Sequence, residues 1–412
     1  MLFQLNHVRV ALQRTSQGEP ENPSTIRSPC SRRPPAGRFR FPASTQRKKK
    51  NPPFDALGRL WILRPSGFRR FVYLVMNDTK RRDFPLRRID ASRLFFPAGE
   101  RPPVPPPLED ARLPPAAIRF SPPITDTSNG DMEFMLLGGR GRKRSKVVAA
   151  DHTGRCVLYD PALRTVRTLP ELTAPKFMAA SLTIGESLFI IDKHFNLTFS
   201  RNDCFDALYF DEDDADWECY SLPPPPYMDT YDPDSQGLRY RAHITSYAEV
   251  TNRGSGGGSS IWVSKEGLGT HSFDVQSGKW KKTGDWVLPF WGPGRYIREH
   301  KLWFGLSADE DDGVVCASDL TQTQPAAPRI LYRDAATPPD WKGKSSTLVH
   351  LGHSRFCLAR FFRIIQPGGL PCIKFVVFTG LKVEQGDGEE LRMVKHRSHR
   401  YSLVNKLIHW VL

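Results

Sequence analysis

Three copies of one hairpin-like motif constrain the fold of this 412-residue chain more than any other feature. In each copy an aromatic residue precedes Asp, and a bulky apolar residue follows that Asp six positions later: Tyr159-Asp160 with Val166, Phe210-Asp211 with Trp217, and Phe273-Asp274 with Trp280. We expect the aromatic residue to end one strand and the Asp side chain to cap the turn. The apolar residue should then begin the return strand on its buried face. The chain is therefore predicted to consist of repeated hairpins.

Two weaker copies extend the series, with turns predicted at Asp319 and Thr379. The five turn positions are then 51, 63, 45 and 60 residues apart. A period of roughly 50 residues with variable insertions is typical of kelch-type β-propeller blades, each a four-stranded sheet. An all-β sandwich with chance aromatic-Asp turns is the alternative. The spacing favours an all-β, kelch-like β-propeller of five to six blades, of which five would lie at about residues 130–172, 177–224, 241–290, 294–334 and 346–404.

A sixth blade could form where the two ends of the folded region meet. Residues 89–124 could pair with the C-terminal strands, because a propeller commonly closes its ring with strands from both chain ends. The segment Tyr401–Leu412 is apolar enough to dock there.

Composition agrees with a β-rich, globular protein. The chain has 36 prolines and 31 glycines, more than the ~12% that these residues make up on average. No run approaches the ~20 apolar residues that a membrane span needs, so we expect a soluble protein with no membrane association. Its seven cysteines include no CxxC pair, and Cys156 and Cys316 lie in apolar runs where a thiol acts as a small hydrophobe. A reducing compartment, the cytoplasm or nucleus, is predicted.

Positive charge is concentrated at the N-terminus. Residues 1–95 hold 21 of the 59 lysines and arginines but 6 of the 44 acidic residues, which accounts for the whole net charge of +15. Low hydrophobicity and like-charge runs predict disorder. We therefore divide the chain into a disordered basic arm (1–68), leading strands with a Pro-rich connector (69–125) and the propeller (126–412).

Three interpretations of the arm stay open. Residues 1–50 have the Arg- and Ser-rich, acid-poor composition of a mitochondrial or plastid transit peptide. The run Arg47–Lys50 could instead serve nuclear import or bind nucleic acid through counterion release. The third interpretation is a solvated extension without a selected role, which includes an incorrect gene model.

A search for catalytic, metal and cofactor motifs predicts none of these sites. Gly343-Lys344-Ser345 ends like a phosphate-binding loop, but Pro338 occupies the position of its first glycine. Histidine pairs spaced by three residues fall on opposite faces of a strand, which disfavours a shared metal, and acidic runs lack the Gly and distal Glu of an EF-hand. These pairs are His350 with His353 and His396 with His399; the runs are Asp211–Asp214 and Asp309–Asp312.

One cluster has the composition of an interface. Trp291, Arg295 and Tyr296 are separated by Gly-Pro-Gly, which predicts a loop between two blades. Exposed Trp, Tyr and Arg are the residue types that most often anchor protein interfaces. We expect these three residues either to bind a partner or to pack the junction between blades.

A family resemblance is carried by six stretches: Arg70–Asp78, Leu86–Phe96, Gly154–Asp160, Ile261–Asp274, Gly284–Phe290 and Leu302–Gly305. Through them, residues 69–405 resemble a large plant family of uncharacterised proteins, expanded in grasses, that carry a domain of unknown function. The resemblance implies a kelch-like β-propeller. It implies no established activity and no catalytic residues.

The sequence thus favours a non-catalytic binding or scaffold module that engages a protein or peptide through its loop face. We expect a monomer without a cofactor, with nucleic acid bound, if at all, by the basic arm. An enzyme with a site in the central channel and an organelle-targeted regulatory protein are the alternatives. An adaptor for ubiquitin ligation is disfavoured, because no F-box-like amphipathic segment precedes the blades.

Overall fold

The computed structural model describes residues 68–100, 102–124, 130–138, 145–176, 178–193, 203–211, 215–226, 244–251, 258–309, 313–322, 324–334, 337–366, 372–386, 390–403 and 409–412. Within these ranges the chain forms strands, turns and a short 3-10 helix (Ala91–Leu94) but no α-helix, so the predicted all-β class is confirmed. None of the described segments is a helix long and apolar enough to cross a membrane. The predicted arm lies outside the described residues apart from Phe68, as do parts of both acidic runs.

Three of the four N-terminal strands belong to one sheet, and the fourth, at Leu108–Ala111, belongs to another. They are β1 (Phe71–Met76), β2 (Phe84–Asp90), β3 (Leu108–Ala111) and β4 (Ala116–Phe120). β1 pairs antiparallel with β2, and β2 pairs antiparallel with β4. Phe68 packs edge-on against Phe95 with ring centroids 6.1 Å apart. Phe68, the last residue of the predicted arm, thus packs against the segment that follows β2.

The next strands fall into groups of four, and within each group the strands pair antiparallel in chain order. The first two groups are β5 (Met132–Leu137), β6 (Lys146–Asp151), β7 (Cys156–Asp160), β8 (Thr165–Leu169), and β9 (Ala180–Ile184), β10 (Ser187–Ile191), β11 (Phe205–Asp211), β12 (Asp216–Ser221). The third and fourth are β13 (Ser246–Thr251), β14 (Ser259–Lys265), β15 (Gly269–Asp274), β16 (Lys279–Gly284), and β17 (Phe290–Ile297), β18 (Leu302–Ser307), β19 (Val315–Ser318), β20 (Arg329–Tyr332). The fifth is β21 (Lys342–Gly352), β22 (Arg355–Ile364), β23 (Ile373–Gln385), β24 (Leu391–Ser402).

These groups lie where the repeat spacing predicts four-stranded units. The largest differences are in the third group, which begins at Ser246 and ends at Gly284 where the prediction was 241–290. β17 and β21 begin at Phe290 and Lys342, four residues before the predicted starts at 294 and 346. Cys156 and Cys316 are buried within β7 and β19, as their apolar surroundings predict. The cysteines of the described residues are free thiols.

Three pairings connect strands that are distant in sequence. β13 and β17, the first strands of consecutive groups, pair in parallel. β3 pairs in parallel with β24, so the segment 89–124 does contact a C-terminal strand. The last strand, β25 (His409–Val411), pairs antiparallel with β1 and completes the N-terminal sheet.

Apolar clusters lie between successive groups of strands. β1, β2 and β4 pack on the β5–β8 group, and each later group packs on the next. A further cluster joins the β21–β24 group back to β1 and β25. Ring contacts within these clusters include Phe205 with Phe273 at 5.0 Å and Phe304 with Phe356 at 5.4 Å. Several small sheets that pack face to face in chain order, the last on the first, form a β-propeller-like fold.

The three predicted hairpins are present. Tyr159 lies directly opposite Val166, Phe210 opposite Trp217, and Phe273 opposite Trp280. Such directly opposed residues share a face of the sheet and pack against each other. The six-residue offset between Asp and apolar residue therefore reflects cross-strand pairing.

The aspartates of the motif serve their own turns. Asp160 Oδ1 accepts hydrogen bonds from the N–H groups of Ala162 and Leu163 at 2.9 and 3.1 Å. Asp274 Oδ1 accepts one from the Ser277 N–H at 2.6 Å. Asp211 accepts a hydrogen bond from the Tyr209 hydroxyl, and the turn that follows it lies outside the described residues. The aspartates with described turns are thus structural.

Three details of the repeat were wrong. Val166 is 52% exposed because it lies on β8, the outer strand of its group, whose second edge pairs with no strand of the described residues. Thr379 is not in a turn but in the middle of β23, because the strands of the last group are long and the hairpin ends further along. Trp217 and Trp280 also lie on outer strands and are half-buried, less than the expected burial.

Trp280 provides a test of the structural role of the motif. Its ring lies 5.2 Å from Phe273 and 5.9 Å from Phe205, and its Nε1 donates to the Pro223 carbonyl at 2.7 Å. We expect Trp280→Ala to lower the free energy of unfolding by about 3 kcal/mol through lost contacts. Trp280→Phe, which keeps a ring, should lower it by only about 1 kcal/mol through the lost hydrogen bond. Urea unfolding measures both, and equal losses for the two variants would contradict this role.

Candidate functional site

The predicted interface residues lie on a strand and not in a loop. Trp291, Arg295 and Tyr296 belong to β17, which pairs with β13 on one side and β18 on the other. The Gly-Pro-Gly between them forms a wide bulge, in which three residues oppose Gly305 of β18. The prediction of a loop was wrong because Gly and Pro also mark bulges within strands.

Close packing explains why the bulge needs glycine. The Phe290 ring occupies the space beside two glycines, where a Cβ would lie 2.6 Å from its Cδ2 at Gly294 and 2.7 Å from its Cδ1 at Gly305. Gly292 adopts a φ of 77°, in the left-handed region that favours glycine. Larger residues at these positions would displace Phe290, which is fully buried.

The bulge determines which side chains of β17 share a face. Trp291 lies opposite Leu306, and Arg295 lies opposite Phe304. Since Leu306 and Phe304 are two residues apart on β18, Trp291 and Arg295 share one face, whereas Tyr296, opposite Trp303, occupies the other. Trp291 is 47% exposed and Tyr296 is 39% exposed. The structure thus brings together two of the three predicted residues.

Arg295 lies near groups that sequence analysis did not identify. Arg69 donates from Nε to the Phe71 carbonyl at 2.9 Å and from Nη2 to the Leu412 carbonyl at 2.6 Å. The pKa of Arg69 is lowered to about 10, mainly by burial, and the positive charge of Arg295 acts in the same direction. We call Arg69, Arg295, His300 and His350 the arginine–histidine cluster.

Its histidines belong to two adjacent groups: His300 lies in a turn, and His350 lies near the end of β21. His300, between β17 and β18, has Nε2 at 2.8 Å from the Ser354 hydroxyl in the turn between β21 and β22. Burial lowers the pKa of His350 to about 4, and the positive charge of Arg295 acts in the same direction. The His350 imidazole is therefore neutral at pH 7, and its buried Nε2 has no hydrogen-bond partner among the described residues. Within the described ranges no group of three or more His, Cys, Asp or Glu could hold a metal ion.

A second unusual group is the carboxyl of Glu133 on β5. It accepts a hydrogen bond from Trp410 Nε1 at 2.9 Å, and the N–H groups of Met178 and Ala179 also donate to it. Burial raises the pKa of Glu133 to about 7, although these donors and Lys193 act in the opposite direction. The sequence offers one signal for this residue, since it is an acid within an otherwise apolar run from Met132 to Leu137.

An open cleft of about 400 Å³ lies between the outer strands β8 and β12. It is lined by Arg167, Thr168, Leu169, Pro170, Asp216 and Trp217. The Arg167 guanidinium and the Asp216 carboxylate lie 2.6 Å apart within it, so the two charged groups of the cleft satisfy each other. Trp217 of the repeat therefore borders a cleft while also packing on the adjacent core.

The pKa of Glu133 makes stability depend on pH. A raised carboxyl pKa means that the folded state retains a proton that the unfolded chain loses above its usual value of 4.5. Glu133 therefore contributes stability below pH 4.5, and this contribution is lost as the pH rises to about 7. The free energy of unfolding falls by about 3 kcal/mol across this pH range. Glu133→Gln cannot ionise, so its stability relative to wild type should rise between pH 5 and pH 8 by an amount of that order.

Urea unfolding at the two pH values measures this effect. Glu249→Gln is the control variant, because it makes the same change on β13 at a carboxylate that accepts the Ser259 hydroxyl at 2.9 Å. A constant stability difference between Glu133→Gln and wild type would contradict the raised pKa.

Comparisons with known proteins identify a family but no function. No curated protein matches the chain. One similar solved structure is an auxiliary nutrient binding protein from Bacteroides thetaiotaomicron VPI-5482, with 11% identity over 58% of this chain, 66% of that chain and a TM-score of 0.30. Another is the dihydro-heme d1 dehydrogenase NirN in complex with DHE, with 12% identity over 81% of this chain, 75% of that chain and a TM-score of 0.28. The chain spans just under two thirds of the nutrient binding protein, and TM-scores this low establish no shared function.

A model described as "Protein of unknown function (DUF1668)" matches residues 69–401, which is most of the chain. That range begins where the described structure begins and includes β1 and most of β24. The chain belongs to the DUF1668 family of proteins of unknown function.

Proposed function

We propose that this chain is a kelch-like β-propeller of six blades that acts as a non-catalytic binding module for a protein or peptide. The blades would be the five groups of four strands and a sixth sheet of β1, β2, β4 and β25. Apolar clusters between successive groups, with one between the last group and β1, support this count. The sequence resemblance supports the kelch type and a plant origin.

Exposure on β17 is the observation that carries the proposed function. The strand is hydrogen-bonded on both sides, and interior strands of a sheet normally bury their large side chains. Trp303 on the neighbouring β18 is only 3% exposed, whereas Trp291 is 47% exposed. Arg295 is also exposed and shares the face of Trp291. An exposed Trp beside an Arg on a rigid strand has the composition and preorganisation of an interface hot spot.

Further exposed apolar residues support a binding surface near the starts of the strands. Val287 precedes β17 and is 40% exposed, and Met178 precedes β9 and is 51% exposed. In an antiparallel group of four, the connection to the next group and the turn between the second and third strands lie at the same end. Both residues belong to such connections, which form the loop face proposed to engage the partner.

The location of the protein and its assembly state are part of the proposal. We expect a monomer in the cytoplasm or nucleus, without membrane association. Residues 1–50 could instead direct it to a mitochondrion or plastid as a regulatory protein, and a fluorescent reporter carrying these residues tests that alternative.

Substitution of Trp291 tests the binding role. We expect Trp291→Ala to weaken partner binding at least about tenfold, because hot-spot residues contribute about 2 kcal/mol or more. The loss of folding stability should be small. Leu163→Ala is the control variant, because Leu163 is 72% exposed in the turn between β7 and β8. It should retain binding.

The measurement is affinity capture from native tissue with the full chain, its two variants and a chain without residues 1–67. Isothermal titration with each purified candidate partner then gives the dissociation constants. Capture lost equally in both single variants, or retained in both, would contradict a hot spot at Trp291. If only the chain without residues 1–67 fails to capture the partner, binding belongs to the basic arm.

A propeller enzyme is the second candidate, and the raised pKa of Glu133 favours it. A carboxylic acid that retains its proton near pH 7 can act as a general acid. Under this hypothesis a panel of chromogenic esters, glycosides and phosphoesters would include a substrate that wild type turns over. Glu133→Gln would lower that turnover at least about a hundredfold, and Trp291→Ala would not. If wild type turns over no substrate in the panel, or Glu133→Gln retains its turnover, this candidate loses its support.

A further inference from the structure

Three cations lie in one row across the last group of strands. Lys342 on β21 is directly opposite Arg363 on β22, and Arg363 is directly opposite Lys374 on β23. Directly opposed residues of antiparallel strands point to the same face of the sheet, with their Cβ atoms only ~5 Å apart. Like charges at this spacing destabilise the sheet unless something neutralises them.

A fourth cation lies at a bulge beside the row. Gly343 pairs with Phe362 and Ser345 with Phe361, so Lys344 between them has no partner position on β22. Burial lowers the pKa of Lys344, and the positive charges of Arg363 and Lys374 lower it further. Lys344 is thus close enough to Arg363 and Lys374 for their charges to affect it. We call Lys342, Lys344, Arg363 and Lys374 the cationic row.

The cationic row lacks the acidic partners that neighbouring cations have. On the same sheet, Arg360 and Lys395 both contact Asp334. Other cations of the sheet are paired as well: Arg400 with Asp110 at 2.5 Å, Lys382 with Glu384 at 3.0 Å, and Arg397 with Glu109 at 3.8 Å. Among the described residues, no carboxylate lies within ion-pair distance of the four cations of the row.

The adjoining sequence offers little negative charge. The segment between β22 and β23 that follows Ile365 reads Gln-Pro-Gly-Gly-Leu-Pro-Cys, which contains no acid. Asp340 is the nearest acid along the chain and is exposed, without an ion pair among the described residues. Lys342 Nζ instead donates to the Pro339 carbonyl at 3.2 Å. No acid among the described residues therefore relieves the repulsion within the row.

We propose that the cationic row binds a phosphate-bearing small anion. Adjacent strands are ~4.8 Å apart, so the row spans ~10 Å from β21 to β23, which matches one or two phosphate groups better than a nucleic-acid strand. Arg363 at the centre can bind two phosphate oxygens at once, and the flanking lysines supply point charges. The bulge at Lys344 leaves backbone groups outside the ladder, where they can approach an oxyanion. This site is independent of the surface on β17.

The residues of the incomplete phosphate-loop motif thus acquire a different explanation. Gly343-Lys344-Ser345 lies on a strand bulge, with no helix following it, so it cannot form a phosphate-binding loop of the nucleotide-binding kind. The Ser345 hydroxyl is 3.0 Å from His409 Nε2 and connects β21 to β25. Lys344 has no ion pair with the described residues and lies near Arg363 and Lys374 of the row.

Inorganic pyrophosphate is the probe for this site. We expect it to bind the full chain and to raise its melting temperature by mass action, more than sodium chloride does at equal ionic strength. Arg363→Gln should weaken binding at least about tenfold, because it removes a charge-assisted hydrogen-bonding group. Without ligand, Arg363→Gln should not lower the melting temperature, since it relieves like-charge repulsion.

Lys281→Gln is the matched control variant, because it removes one exposed cation from β16 in a different sheet. Isothermal titration and thermal unfolding are measured for wild type and both variants, and the double variant Lys342→Gln/Lys344→Gln carries the test if Arg363→Gln does not fold. Equal pyrophosphate effects in all variants would overturn the site, as would no pyrophosphate effect on wild type. Binding of a single-stranded oligonucleotide but not pyrophosphate would overturn the small-anion ligand in favour of nucleic acid.

Discussion

The pairing of β25 with β1 is the contact on which the other features depend. Tyr73 and Leu412 exchange backbone hydrogen bonds at 2.9 Å, and Val411 contributes to the apolar cluster between the last group of strands and β1. Two side chains described in the candidate functional site are hydrogen-bonded to β25 or to Leu412 directly after it. Arg69 donates to the Leu412 carbonyl, and Trp410 donates to Glu133. The strand that completes the first sheet therefore also positions the buried guanidinium and the buried carboxyl, so loss of this pairing would release both.

Buried charge connects neighbouring groups of strands as well. Lys176, in the connection between β8 and β9, donates to the carbonyls of Ala174 and Asp203 and lies 2.6 Å from the carboxylate of Asp206 on β11. Both charged side chains are fully buried, and Thr173 supplies a further hydrogen bond to Asp206. Removing charge from water is costly unless every donor and acceptor is paired, and here the ammonium has three acceptors. This ion pair holds the connection between β8 and β9 in one position over β11. Apolar contacts alone would fix that position less strictly.

The predictable parts of this fold are those that depend on local chemistry. The spacing of Asp160 and Asp274 from their apolar partners follows from turn geometry and cross-strand register, both contained within a few residues. By contrast, Arg69 and Glu133 have partners 343 and 277 residues away. The apolar run around Glu133 marks that residue as unusual, but no local pattern indicates either partner. The Gly-Pro-Gly of β17 was predicted to be a loop. It forms a bulge instead, because Phe290 packs against Gly305 on the next strand, and the local sequence does not show that contact. Contacts of this kind decide where the exposed Trp291 points, so that part of the site could not be predicted.

The distribution of charge over the surface could not be predicted from the sequence either. Residues 96–412 contain 38 lysines and arginines and 38 acidic residues, so the sequence predicts a neutral propeller. Pairing in three dimensions distributes those charges unevenly. Asp334 pairs with two cations, while Lys342, Arg363 and Lys374 lie opposite one another because of strand register alone.

A shift of β22 by one residue would move Arg363 to the other face of the sheet and separate the row. Since Phe361, two residues before Arg363, is buried in the cluster that contains β1 and β25, that register is fixed by the closure of the fold. The concentration of positive charge on β21–β23 is thus a consequence of core packing.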